Sequence, residues 1–277
     1  MLCVVSAEKI TLTGPQETLL ATLWSRALDS RSRRPILGDA EADRAVQRID
    51  YDFRKAGINA GTAAGVALRA RTLDGWTRRF LAAEPEATVL HLACGLDTRV
   101  HRISPPPSVR WVDVDHPEVV ALRERLLPPP SAADYRTIGA SVTDDGWLDA
   151  VPADRPTVAV FEGLTMYLRE EEGEALIQRI TARFPRGELL FDCYGPLGIR
   201  LQKLVPAVRN SGSTLHWGIR DPHALESWHQ GLVCVEDLPS VALPGNDELP
   251  RSSRVAMRIF ALLPGFRDVG RILRYRF

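Results

Sequence analysis

The chain has 277 residues, 45% of them hydrophobic and 25% charged, proportions that suit one large globular unit or one unit with an extension. Its 35 basic and 35 acidic side chains cancel, so no basic stripe points to nucleic acid and no polybasic segment to a membrane surface. No apolar run reaches the ~18 residues of a membrane span, and MLCVVSAEKI lacks the positive region of a secretion signal, so a cytoplasmic location is expected.

Residues 1 to about 85 read as helical without a clear strand. Glu17–Leu28, Ala40–Ile49 and Gly65–Leu81 carry apolar residues at helical spacing. From residue 88, short β-rich runs alternate with helical patterns. The runs predict strands at Thr88–Leu92, Val109–Val114, Thr157–Phe161, Glu188–Asp192 and Val255–Leu263. Helices are predicted at Pro117–Leu127, Glu170–Phe184 and Pro222–Gln230. Such alternation implies a Rossmann-like α/β fold with a mostly parallel central sheet and helices on both faces. The proline triplets at 105–107 and 128–130 are loops inside this pattern. The expected organisation is an N-terminal helical cover over 1–85 and a core over 86–277, with a substrate-side insertion around 194–230.

Ligands of an open α/β sheet bind beyond the carboxyl ends of the strands, where the chain order reverses. Three strand ends draw attention. HLACGLDTR (91–99) leaves a strand through a tight turn whose bare backbone at Gly95 lets a ligand approach closely. WVDVDHP (111–117) ends a strand with Asp113 and Asp115, the latter 20 residues past Gly95, where a nucleotide-binding unit places the carboxylate for its ribose hydroxyls. FEGLTMYL (161–168) sets Glu162 and Gly163 just past a third strand. A nicotinamide dinucleotide would need the three glycines of G-x-G-x-x-G to seat its pyrophosphate, and residues 93–98 offer one. A ligand with a ribose and no phosphate fits better, and S-adenosylmethionine is such a ligand. Cys3, Cys94, Cys193 and Cys234 are far apart, so free thiols are expected. His216, His223 and His229 share no helical face, and no metal is expected.

HLACGLDTR, WVDVDHPEVVALR, DDGWLDA and FEGLTMYL, in this order, resemble the successive motifs of the leucine carboxyl methyltransferase family. RALDSRSRRPILGD, IDYDF, HWGIRDP and LRYRF extend the likeness over nearly the whole chain and toward its bacterial polyketide O-methyltransferase branch. The resemblance implies a class I methyltransferase fold. It assigns Arg69, with Arg71 as the close second candidate, to the methionine carboxylate of S-adenosylmethionine, and Arg26 to the same contact. It assigns Gly95 to the close backbone approach, Asp115 to the ribose, and Glu162 to the methionyl end. Two positions depart from the family's pattern. Ala93 stands where glycine is usual, and Ser141 where an acidic residue commonly serves the adenine, with Asp144 and Asp145 out of register.

The implied reaction is in-line displacement at a sulfonium methyl by an acceptor oxygen, with up to ~7–11 kcal/mol available from positioning alone. A carboxylate acceptor is already ionised at pH 7, whereas a phenol near pKa ~10 gains from a base. His216 and Tyr167 are the candidate catalytic groups; Tyr194, Trp217 and Arg220 are candidates to line the acceptor pocket. The expected acceptor is a small polyketide-like or aromatic molecule. The departures at Ala93 and Ser141 leave a rival open, a cofactor-fold protein that binds a polyketide and steers its cyclisation without methyl transfer.

Overall fold

A computed structural model describes residues 8–9, 15–127, 130, 134–204 and 206–277. Three helices come first: α1 (Pro15–Ser30), α2 (Ala40–Gln47) and α3 (Ala60–Ala83). Then follow β1 (Thr88–Leu92), α4 (Arg99–Ile103), β2 (Arg110–Asp115), α5 (Pro117–Leu126), β3 (Asp134–Gly139), β4 (Thr157–Phe161), α6 (Glu170–Arg183) and β5 (Gly187–Tyr194). The chain continues through α7 (Pro196–Arg200), α8 (Pro206–Ser211), β6 (Val233–Pro239), α9 (Arg251–Leu262) and β7 (Gly270–Arg276). The strands form one sheet in the order β3-β2-β1-β4-β5-β7-β6. The first five run parallel, and β7 is antiparallel to both its neighbours. The order reverses between β1 and β4, which places the ligand crevice at their carboxyl ends.

Every residue of TVLHL (β1) and TVAVF (β4) is buried, as expected of central strands covered on both faces. Val89, Trp111, Val158, Val160 and Leu190 face Trp76, Phe80 and Leu81 of α3. The alternate residues Leu90, Val112, Ala159, Phe161, Leu189 and Phe191 face Leu176, Ile177 and Ile180 of α6. The long helix α3 lies on the sheet with α1 alongside it, and α1 and α2 also pack on α5 through Leu20, Leu23, Ala42, Val46, Leu122 and Leu126.

Several elements differ from expectation. Val255–Leu263 is not a strand; it belongs to α9, whose Ala, Met, Arg and Leu residues favour a helix. A short apolar run does not by itself separate the two conformations. Asp134–Gly139, Val233–Pro239 and Gly270–Arg276 are strands that the sequence pattern does not predict. The first two lie on sheet edges, are half-exposed and carry the polar residues that edges tolerate, and the third, GRILRYR, mixes apolar and charged residues between two neighbours. Pro222–Trp228 winds as a 3₁₀ helix, and Ile49–Asp50 pairs in parallel with Glu8–Lys9. Cys94 and Cys193 are buried free thiols and Cys234 is half-buried, while Cys3 lies outside the described residues.

Candidate active site at the strand ends

The turn after β1 holds Ala93 at φ 48° and Gly95 at φ 50°, both in the left-handed region. It is stitched to the end of β2. The Cys94 N–H donates to the Val114 carbonyl (3.2 Å), and the Gly95 N–H donates to Asp115 Oδ2 (2.7 Å). Asp115 Oδ1 accepts the His116 N–H at 2.8 Å, which leaves a lone pair on each oxygen for a ligand. Burial pushes the Asp115 pKa above the ordinary carboxylate value.

Asp113, two residues back on the same side of the strand, is consumed by scaffolding. It accepts from His91 (2.9 Å), the Trp111 indole (2.8 Å) and the Tyr135 hydroxyl (2.7 Å), and pairs with Arg123 (2.6 Å). Arg123 also donates to the carbonyls of Gly95 (3.2 Å) and Asp97 (2.5 Å), so this buried network fixes the glycine turn from behind.

Glu162, just past β4, is the hub of a second network, with its side chain 3% exposed. Arg99 reaches it at 2.6 Å, Arg69 at 3.0 Å and Arg26 at 3.3 Å. Burial alone would raise its pKa, but Arg69, Arg26 and Arg99 hold it down to about 2. Arg69 also pairs with Asp192 near the end of β5 (2.7 Å), and Asp192 accepts the Gly163 N–H (2.6 Å). Arg26 and Arg99 turn to Asp97 as well, at 3.1 and 3.4 Å. Asp74 of α3 pairs with Arg99 and Arg102, each at 2.7 Å, and Arg102 reaches Asp39 and Asp97. Four guanidinium groups thus meet five carboxylates, so the cluster has room for one more positive charge. The side chain of Arg69 is 20% exposed, whereas those of Arg26, Arg99 and Arg102 are at most 8% exposed. Arg69 is the cation that faces outward.

On the far side of Arg69, Tyr167 and Tyr194 are half-buried and pack with Met166, Val208 and Leu215. Burial raises both phenol pKa values, and the Tyr167 hydroxyl shares a hydrogen bond with Thr18 of α1. The remaining candidates lie elsewhere. Arg71 points away from Arg69, because two helical residues span about 200°, and forms a bidentate pair with Glu248 (2.7 and 2.8 Å). Trp217 is 5% exposed and sits in the α6-side core, tilted on Trp228 at 5.7 Å and seated over Gly173. Arg220 is exposed, and so is His216, whose backbone N–H donates to the Met166 carbonyl (2.8 Å). Ser141 turns its hydroxyl to Thr143 (2.7 Å), and its N–H goes to the Asp144 carboxylate (3.2 Å), so Asp144 folds back on the loop.

A family model described as leucine carboxyl methyltransferase matches residues 19–181. The chain belongs to that family. It is 46% identical to the tetracenomycin polyketide synthesis O-methyltransferase TcmP of Streptomyces glaucescens, over 98% of this chain and 99% of the relative. It is 38% identical to the S-adenosyl-L-methionine-dependent methyltransferase dpfgK of Gibberella zeae, over 81% and 82%. Among solved structures it resembles a DUF574 family protein from Streptomyces avermitilis, with a TM-score of 0.60 at 14% identity over 98% and 97% of the chains, a likeness of fold.

Membership makes S-adenosylmethionine the family's cofactor, and the residues present suit it. Arg26 Nε is buried with no hydrogen-bond partner, Arg69 faces outward, and Asp115 keeps free lone pairs. A ligand with a carboxylate, two cationic centres and a ribose matches this donor set. Sequence reasoning did not single out Asp192, Arg99 or Asp97 for the cluster. Arg99 and Asp97 stand inside HLACGLDTR, and Asp192 obeys the strand-end rule, so the signals were on the chain.

Proposed function

We propose that this chain transfers a methyl group from S-adenosylmethionine to a carboxylate or phenolic oxygen of a small polyketide-like or aromatic acceptor. The observation that carries the reading is the pairing, at the crossover between β1 and β4, of an open carboxylate tied to a glycine turn with an outward-facing arginine. Asp115 would hold the ribose hydroxyls, Arg69 and Arg26 the methionine carboxylate, and Glu162 with Asp192 the neighbouring positive charge. Ala93 and Ser141 would border the adenosine from the backbone side. S-adenosylmethionine supplies an electrophilic methyl on a sulfonium.

The acceptor side is best read from Tyr167 and Tyr194. Their raised pKa values keep both phenols protonated at neutral pH, so they would donate hydrogen bonds to the acceptor oxygen and leave its proton alone. Leu19 of α1 lies over Gly95, which supports the reading of the first helices as a cover that keeps water out. His216 and Arg220 are exposed and would stand at the rim, whereas Trp217 is buried and would support the pocket wall.

Calorimetric titration with S-adenosylmethionine tests the site. Arg69→Ala and Asp115→Ala each remove a charge-assisted hydrogen-bonding group, so affinity should fall roughly 10–100-fold. Unchanged affinity in both would overturn the assignment. Methyl-labelled cofactor incubated with candidate aromatic acceptors tests the reaction. Label in the product supports transfer, and conversion without label would support the cyclisation reading.

A further inference from the structure

Helix α9 is anchored along one side and bare along the other. Met257 packs toward the sheet core, and Ser253 lies against Gly61 at the start of α3. Val255 is 50% exposed, Ile259 52%, Leu262 84% and Leu263 42%, and their spacing of three and four places them in one stripe. Arg251, Arg254 and Arg258 run along one border of that stripe, and Arg267 follows in the turn that stacks Phe266 on Phe260 (5.3 Å). The helix carries no acidic residue. Glu248 before it is held by Arg71, and Asp268 after it by Arg271.

We propose that α9 and the turn at 263–267 are a peripheral docking surface for an anionic lipid bilayer. The stripe would lie in the headgroup layer and the arginines against lipid phosphates. An apolar stripe with a purely basic border is the pattern of an interfacial helix. Charge selects this occupant over a second copy of the chain, since an antiparallel pairing of two such helices sets the arginine borders face to face. No helix of the described residues is long and apolar enough to cross a membrane, so the contact would be superficial. Whole-chain neutrality does not oppose it, because surface attraction is read within a Debye length of ~8–10 Å.

The surface also lies beside the acceptor side. Gly265 sits against Leu197 of α7, and Gly195 and Gly198 pack under the backbone of Asp268 and Val269, next to Tyr194. Docking would bring that side of the molecule to the bilayer, where apolar acceptors dissolve. This last step rests on the proposed function, whereas the docking itself does not.

The test is co-sedimentation of the full chain with vesicles of phosphatidylcholine, with and without phosphatidylserine. Binding should require phosphatidylserine and weaken as salt rises. The Arg251→Gln, Arg258→Gln pair should lower partitioning by on the order of tenfold, and the Ile259→Glu, Leu262→Glu pair should abolish it. Unchanged S-adenosylmethionine affinity and circular dichroism would show that both variants remain folded. Absence of binding to either vesicle, or equal binding to both, would overturn the proposal. A concentration-dependent dimer that Ile259→Glu, Leu262→Glu dissolves, in place of lipid binding, would assign the stripe to a second copy instead and overturn it too.

Discussion

At the scale of single residues, the turn after β1 contains a test of backbone against side chain. Ala93 and Gly95 both have φ near +50°, a region that costs an L-residue roughly 1–2 kcal/mol. Gly95→Ala should therefore destabilise by about that amount. The contact it would create with Leu19, at 3.5 Å, is ordinary, so the cost is conformational. Ala93→Gly relieves the same strain, but it frees the unfolded chain and removes a methyl packed on the core, so its net effect should stay within about 1 kcal/mol. Thermal denaturation of the two variants checks this asymmetry. Equal losses would mean that the turn's conformation is not what sets the cost.

Glu162 makes a second prediction at this scale. Its carboxyl titrates near pH 4.5 in an unfolded chain and near about 2 in the fold. A depressed pKa contributes stability that is present above the unfolded value and is lost as pH falls through the folded one. The contribution is on the order of 3 kcal/mol and should fade between about pH 4.5 and 2. Denaturant titrations across that window should show Glu162→Gln with a shallower pH slope than the parent, and a lower plateau at neutral pH because three arginines lose a partner. Parallel slopes would sink the assignment.

At the scale of elements, α1 joins the N-terminal helices to the arginine–carboxylate cluster around Glu162. Leu23 is fully buried between α2 and α5, and Arg26, one turn later, reaches Asp97 and Glu162. Leu23→Ala should cost about 2–5 kcal/mol, concentrated in α1 and α2. Under the proposed function S-adenosylmethionine affinity should fall as well, because Arg26 reaches Asp97 and Glu162 only while α1 is docked. Hydrogen exchange should show faster opening of α1 and α2, with protection restored by saturating cofactor. Uniform destabilisation of the sheet instead would mean that α1 is not a separate unit.

The same scale shows what was legible beforehand. Strands β1 and β4 are near-continuous apolar runs, β2 and β5 hold apolar stretches, and turn motifs follow them, so the strand-end positions of Gly95, Asp115 and Glu162 could be placed from sequence. Edge strands β3 and β6, the inserted strand β7 and α9 could not. DYRTIG owes its strand state to pairing with β2, and RSSRVAMRIFAL shows its helical state through which side it buries. Individual ion pairs were also out of reach, because Arg99 meets Glu162 across 63 residues and Arg26 meets it across 136. Only the closed fold decides which carboxylate each arginine finds. Arg71 shows the converse, a plausible residue that helix geometry turns to Glu248.

At the scale of the whole molecule, the position of β7 governs when the sheet can close. It is the last strand in chain order, yet it lies between β5 and β6. A nascent chain leaves the ribosome with β1 to β5 able to associate, but the strand that pairs with the outer side of β5 in the fold follows all the others. Until residues 270–276 emerge, Phe191 has no ring on its outer side, where Tyr275 later stacks at 5.6 Å, and the β5 backbone offers a bare edge. Synthesis thus passes through a stage in which a hydrophobic edge waits for residues 270–276. A chain stopped after Val269 should aggregate when expressed, and a peptide of residues 270–277 supplied during refolding should recover soluble material. Soluble, monomeric truncated protein would show that β6 can take the vacant place. Slow translation of the codons between β5 and the end of β7 would lengthen the vulnerable interval, which makes solubility of this protein depend on the rate at which its own sheet is closed.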